Sequence, residues 1–221
     1  MGSSGGSSDE QPPRQISVSS FSINRYEITE AQYEACVKKG RCTPAHYDDS
    51  SCRAWNGSKF KRVRVPFTAR NPEFPVVCVT WQQAKQYCRS QGKTLPREAE
   101  WEYAARSGTV TRYPWGNETP GREHCVLKRT VGPEKVGSCR PNAWGLHDMV
   151  GNVWEWVADF YNAQEYRSEN MGIPDGSATG FYRIIRGGGW YSRPEQATVA
   201  NRQWFSPGFA EVSIGFRCVK R

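Results

Sequence analysis

Hydrophobic and polar positions alternate at the start of the folded region. Ile16, Val18, Phe21 and Ile23 are separated by polar residues, apart from a one-residue slip at Ser19-Ser20, which predicts an edge strand carrying a bulge. Thr29-Glu-Ala-Gln32 reads as a capping box, opening a helix that runs through Val37 until Gly40 ends it. From Arg41 to Pro75 no period is visible, and Pro, Asp, Ser and Asn accumulate, predicting a long irregular loop pinned by Cys42 and Cys52. Thr80-Trp-Gln-Gln83 is a second capping box, for a helix through about Gln91 with Gly92 as its stop. Pro96 sits at a first-turn position, and Arg97 to Arg106 carries acids early and Arg late, as the helix dipole prefers. Beyond Ser107 the pattern is loops and short strands. Helices first and strands later predict an α+β fold, a single domain over residues 16–221 without internal repeats.

Composition narrows the class. The 221 residues are 37% apolar, but nine Trp, ten Tyr and nine Phe provide bulky core material. No run approaches the roughly 18 apolar residues of a membrane span, and disorder and coiled coil are excluded as well. The 14 Pro and 21 Gly are spread along the chain, which favours short elements and many loops. Net charge is +8, yet beyond the stretch Lys59, Lys61, Arg62, Arg64 the basic residues are scattered among acids. No helix has a basic face and no zinc-finger spacing occurs, so no nucleic-acid partner is expected.

Eight cysteines without a C-x-x-C pair argue for disulfides and an oxidising, extracytoplasmic compartment rather than zinc. Eight cysteines allow 105 connectivities. Residues 1–15, rich in Gly, Ser and Pro, read as a flexible tether. A tether of this kind often follows the lipid-bearing Cys of a bacterial lipoprotein, so contact with a membrane is expected only through such an anchor.

The ordered motifs carry more. Arg25-Tyr-Glu-Ile-Thr-Glu-Ala-Gln-Tyr33, Thr80-Trp through Tyr87-Cys88 and Leu95-Pro-Arg-Glu-Ala-Glu-Trp-Glu-Tyr-Ala-Ala-Arg106 begin a series. It continues with Tyr113-Pro-Trp-Gly-Asn117, Gly145-Leu-His-Asp-Met-Val-Gly-Asn-Val-Trp-Glu-Trp156, Arg186-Gly-Gly-Gly-Trp190 and Gly215-Phe-Arg-Cys218. Together they resemble the formylglycine-generating enzyme (sulfatase-modifying factor) family, and the resemblance implies a variant of the C-type lectin fold. It also implies two copper-binding cysteines after the Gly-Gly-x-Trp motif, at positions held here by Ser192 and Ala197. Copper(I) selects soft thiolates, which neither residue supplies, so copper and formylglycine formation are not expected. The family's iron-dependent sulfoxide-synthase branch needs a His site, and His46, His124 and His147 form no such pattern.

The resemblance further implies a calcium ion held by Asp148 and Glu155 side chains and the Gly151 and Val153 carbonyls. The alternative is that Asp148 caps a turn and Glu155 pairs with an Arg. It implies a Cys88–Cys218 disulfide, with Cys36–Cys42, Cys52–Cys78 and Cys125–Cys139 following as local pairings. The family's substrate groove maps to Tyr191–Ser213, where Tyr191, Ser192, Arg193, Glu195, Arg202, Trp204, Phe205, Phe209 and Glu211 are the candidate ligand-binding residues. Aromatic and Arg side chains anchor interfaces, so the expected function is a monomeric, non-catalytic module binding a protein or other macromolecule. The frame also resembles receptor-type variable proteins diversified by retroelements. The alternative is a modifying enzyme of the siderophore-maturation kind, with Tyr191, Glu195 and Glu211 as acid/base groups.

Overall fold

Both capping boxes form. In this computed structural model, which describes residues 1–66, 70–129, 131–163 and 179–221, Thr29 caps helix α1 (Glu30–Lys38) and Thr80 caps α2 (Trp81–Ser90). In each, the hydroxyl accepts from the backbone N–H three residues on, and the Gln there accepts from the cap's own N–H. Gly40 and Gly92 follow the two helices with φ of 67°, a left-handed turn that costs glycine nothing. Helix α3 (Glu98–Arg106) starts where Arg97 N–H meets the Glu100 carboxylate and ends at Ser107 in the left-handed region.

The strands are short. β1 (Ser22–Ile23) pairs with β8 (Val219–Lys220), and β2 (Arg53–Trp55) with β3 (Phe60–Arg62), both antiparallel. The main sheet has the order β6-β5-β4-β7, from β4 (Trp154–Phe160), β5 (Arg183–Arg186), β6 (Arg202–Phe205) and β7 (Ile214–Gly215). β4 runs antiparallel to β5 across a register shift and parallel to β7. Its first four residues are all buried, which is why Trp-Glu-Trp-Val shows no alternation in sequence.

The fold is α+β, as predicted. One apolar cluster gathers α1 and α2 on the sheet, with Tyr33, Tyr87 and Phe216 in mutual ring contact. A second surrounds Trp101 of α3. Polar groups are buried too: Arg186, Arg202 and Arg217 are at most 2% exposed, and each faces a glutamate, Glu102, Glu98 and Glu155 respectively. These arginines join sheet, helix and loops through buried ion pairs and bonds to backbone carbonyls.

Three expectations change. The predicted edge strand shrinks to Ser22–Ile23, because only these residues reach β8. The irregular loop contains the β2–β3 hairpin, held through Cys52–Cys78 and by backbone bonds from Arg53 to Ala210 and from Val212 to Arg53. Residues 1–15 are no free tether. Gly2 N–H donates to Glu102, Asn201 donates to Glu10, and Tyr161 and Arg202 donate to Asp9, so this segment supplies partners to buried polar groups of the domain.

Cys36–Cys42, Cys52–Cys78 and Cys88–Cys218 are bonded as expected. Cys125 and Cys139 are not. Both are buried free thiols in the second cluster, acting as small apolar side chains. Burial pushes Cys125 up to about 12, and burial with nearby Asp148 raises Cys139 as well, so neither is a thiolate at neutral pH. Among the described residues no helix is long and apolar enough to cross a membrane.

Candidate functional site

Three consecutive glycines carry the chain out of β5. Gly187 and Gly188 have φ of 96° and 85°, and a Cβ on Gly188 would stand 2.6 Å from the Ala197 Cβ. A Cβ on Gly189 would meet Ser213 and Trp154 at 2.9 Å. Only glycine fits this close approach. The turn is then locked: Gly189 N–H donates to Ser192 Oγ, and Ser192 N–H returns to the Gly189 carbonyl. Trp190 N–H reaches the Asn152 carbonyl, tying the turn to the loop before β4.

The two positions that correspond to the copper cysteines are sealed. Ser192 is 2% exposed with its hydroxyl engaged, and Ala197 is 0% exposed. Soft ligands and open space are both missing.

The nine residues predicted to bind ligand do not form one patch. Arg193 and Glu195 are exposed around the short 3-10 turn Pro194–Gln196. Trp204 is 36% exposed on β6 and stacks on Tyr161 at 3.8 Å. Phe205 and Phe209 stack at 4.2 Å, with Phe60 edge-on to both, at the turn end of the β2–β3 hairpin. Arg202 is a correction: it points inward, with its Nε and Nη2 on the Glu98 carboxylate at 2.7 and 2.9 Å. On a strand successive side chains change face, so Arg202 and Trp204 share one side and the inner of the two is taken by the ion pair. Tyr161 joins Trp204, and Trp55 and Phe60 join Phe205 and Phe209, in two separate aromatic groups that were not anticipated.

Tyr191 and Glu211 do come together. Glu211 Oε2 accepts from Ser213 N–H at 2.8 Å and from its hydroxyl at 2.6 Å, and the Tyr191 hydroxyl and Trp55 backbone also face the carboxylate. Burial raises this carboxyl to about 7, against the hydrogen bonds from Ser213. Burial and the Glu211 charge push the Tyr191 phenol upward too. A carboxyl whose native pKa exceeds its unfolded value stabilises the fold while protonated, and that stability is lost as pH rises from about 4.5 to 7. Glu211→Gln should therefore gain on the wild type by about 3 kcal/mol at most across this window. Urea denaturation of both proteins at pH 4.5 and 7 checks this, and an unchanged difference would refute it.

The calcium positions do not fit a cation. Both Glu155 oxygens accept from the Arg217 guanidinium at 2.8–3.0 Å, and Oε2 also accepts from Trp101 Nε1. Asp148 accepts from the N–H groups of Gly137 and Cys139, capping that loop. Its partners are donors, and the Glu155 site already holds a positive charge. Among the described residues no three His, Cys, Asp or Glu side chains converge to hold a metal.

Known proteins resemble this chain in sequence and fold. The chain is 35% identical to the serine/threonine-protein kinase pkn1 of Chlamydia caviae, over 99% of this chain but 36% of that protein, so it spans about a third of that relative. It is 34% identical to the formylglycine-generating enzyme of Streptomyces coelicolor, over 95% of this chain and 81% of that protein. Among solved structures, PvdO from Pseudomonas aeruginosa superposes with a TM-score of 0.79 at 26% identity, covering 99% of this chain and 88% of that one. Treponema denticola variable protein 1 shares the fold, with a TM-score of 0.74 at 21% identity over 100% and 90% of the two chains. The sulfatase-modifying factor enzyme 1-like domain matches residues 1–221. Matched over its whole length by that domain, the chain belongs to the sulfatase-modifying factor enzyme 1-like family.

Proposed function

We propose that this protein is a non-catalytic binding module of its family, taking a macromolecular ligand on the surface built by Tyr191–Ser213 in an oxidising, extracytoplasmic compartment. One observation carries the reading: the positions for the oxidase thiols are Ser192 and Ala197, both buried and packed. Within the segment Arg193, Glu195 and Trp204 remain open on a frame held by disulfides, so little ordering is lost on binding. The module acts as a monomer. A narrower form of the reading is a diversified receptor-type protein, in which sibling sequences would differ mainly at these open positions.

Arg193→Glu should weaken capture of the native ligand from the extracytoplasmic fraction several-fold without shifting the melting temperature, because the side chain is exposed. Trp204→Ala should weaken it further and cost about 1 kcal/mol of stability through the lost Tyr161 stack. Capture identical to wild type in both variants, read by quantitative mass spectrometry, would refute the reading.

A second reading rests on Glu211. Its near-neutral carboxyl beside Tyr191 is suited to proton transfer, which would make the groove a modifying-enzyme site. Glu211→Gln separates the two: a binding module keeps its ligand, whereas an acid/base site loses turnover.

A further inference from the structure

The β2–β3 hairpin carries a charge arrangement that its own fold does not explain. Between Asp49 and Glu73 the chain has six basic residues, Arg53, Lys59, Lys61, Arg62, Arg64 and Arg70, and no acid. Arg70 is paired with Asp48, and Arg64 donates to the Ser50 hydroxyl. Lys59, Lys61 and Arg62 are exposed and make no ion pair among the described residues. The register places Arg53 directly opposite Arg62, and Trp55 opposite Phe60. Directly opposed residues share a face, so two arginines stand side by side next to a 43% exposed tryptophan. Like charges in that position repel, and the arrangement weakens the hairpin that bears it.

The hairpin is nonetheless rigidly held. Asn56 Oδ1 accepts from the N–H groups of Ser58 and Lys59, shaping the turn. Phe60 packs edge-on against Phe205 and Phe209, and the Arg53 guanidinium lies 4.9 Å from the Phe209 ring. Repulsion between the two arginines is thus kept on a fixed support.

We propose that this hairpin is a docking surface for an acidic polypeptide segment. Alternate carboxylates on one face of an extended chain repeat at about 7 Å, and guanidinium groups take carboxylates in bidentate fashion. Trp55 adds an apolar wall for the stems of the acidic side chains. The turn itself, Asn56-Gly57-Ser58-Lys59, is polar and offers nothing to insert into a bilayer. Basic residues outside the hairpin are interspersed with acids, so no longer track for a nucleic-acid backbone continues from it. This inference uses different residues from the Arg193 and Trp204 surface and stands or falls separately.

Fluorescence anisotropy with a labelled deca-glutamate peptide at low salt tests it. Binding should appear, weaken steeply as salt is added, and fall about ten-fold in Lys61→Glu/Arg62→Glu. The charge-matched control Lys39→Glu/Lys220→Glu, altering exposed residues elsewhere, should retain it. The melting temperature of Arg62→Glu alone should rise, since the change replaces the repulsion with Arg53 by attraction. Equal loss in the control would reduce the effect to overall net charge and overturn the proposal. Tighter binding of a sulfated polysaccharide, single-stranded DNA or phosphatidylglycerol vesicles in the same buffer would overturn the polypeptide assignment.

Discussion

Replacing Arg217 with methionine should cost about 3–5 kcal/mol of stability, among the largest effects of any single change in the protein. Arg217 is 0% exposed and gives three hydrogen bonds to Glu155, itself 0% exposed, and further bonds to the carbonyls of Asn24, Arg25 and His147. Its charge also faces two other buried acids. Glu27 is raised well above the ordinary carboxylate range by burial and by the neighbouring charges of Asp148 and Glu155, and only Arg217 and the Asn152 amide oppose this. Without Arg217, three acids would share one buried region with no cation. The double variant Glu155→Met/Arg217→Met should recover part of the loss, since a buried pair replaced as a whole by apolar groups leaves no orphan charge. Calcium should restore none of it, because the Glu155 oxygens serve a guanidinium rather than a metal. Urea denaturation of the three proteins, with and without calcium, provides the measurement. A loss below about 1 kcal/mol in the single variant would show that the pair contributes little.

Removing the Cys88–Cys218 disulfide should be the other large effect. It joins α2 to the residue before β8 across a sequence separation of 130, for which the chain-entropy relation gives about 5 kcal/mol. The same relation gives only about 2 kcal/mol for Cys36–Cys42, whose separation is 6. Paired Cys→Ser variants compared by denaturant midpoint should show that order. If the short bridge proved the costlier to lose, native-state strain or residual unfolded structure would be controlling the outcome, and the loop-length argument would fail here.

How much of this was legible in the sequence depends on the range over which each signal acts. Capping is local, so Thr29, Thr80 and the glycine stops placed two helices within a residue or two. The β2–β3 hairpin was missed although a local signal existed, since Asn56-Gly57 lies between Trp55 and Phe60 and such a dipeptide flanked by aromatics marks a hairpin. Its three-residue strands were too short to show alternation. The family resemblance located the turn at Gly187–Gly189 and the two missing thiols, because those depend on residue identity at fixed spacing. The resemblance could not say which way a side chain faces. Arg202 looked like an interface residue by type, but it lies at the buried end of β6, on the same side as Trp204, and is taken up by Glu98. Likewise Glu155 was suited to a cation, and the cation it meets is Arg217, 62 residues away in sequence. Long-range pairings of this kind leave no periodic trace. The free Cys125 and Cys139 carry a similar lesson: an even number of cysteines does not require that all of them pair.

The pairing of β1 with β8 has a consequence for how such a unit is carried in larger proteins. Ser22 stands opposite Lys220, and Ile23 opposite Val219, so the first and last strands lie in one two-stranded ribbon. A host polypeptide would meet this ribbon at one edge, but the unit must also carry residues 1–15, which pack back on the domain and satisfy Glu102, Asn201 and Arg202. In the language of protein engineering the unit is a cassette, and the Cys88–Cys218 bond beside β8 keeps that edge closed when its neighbours are exchanged.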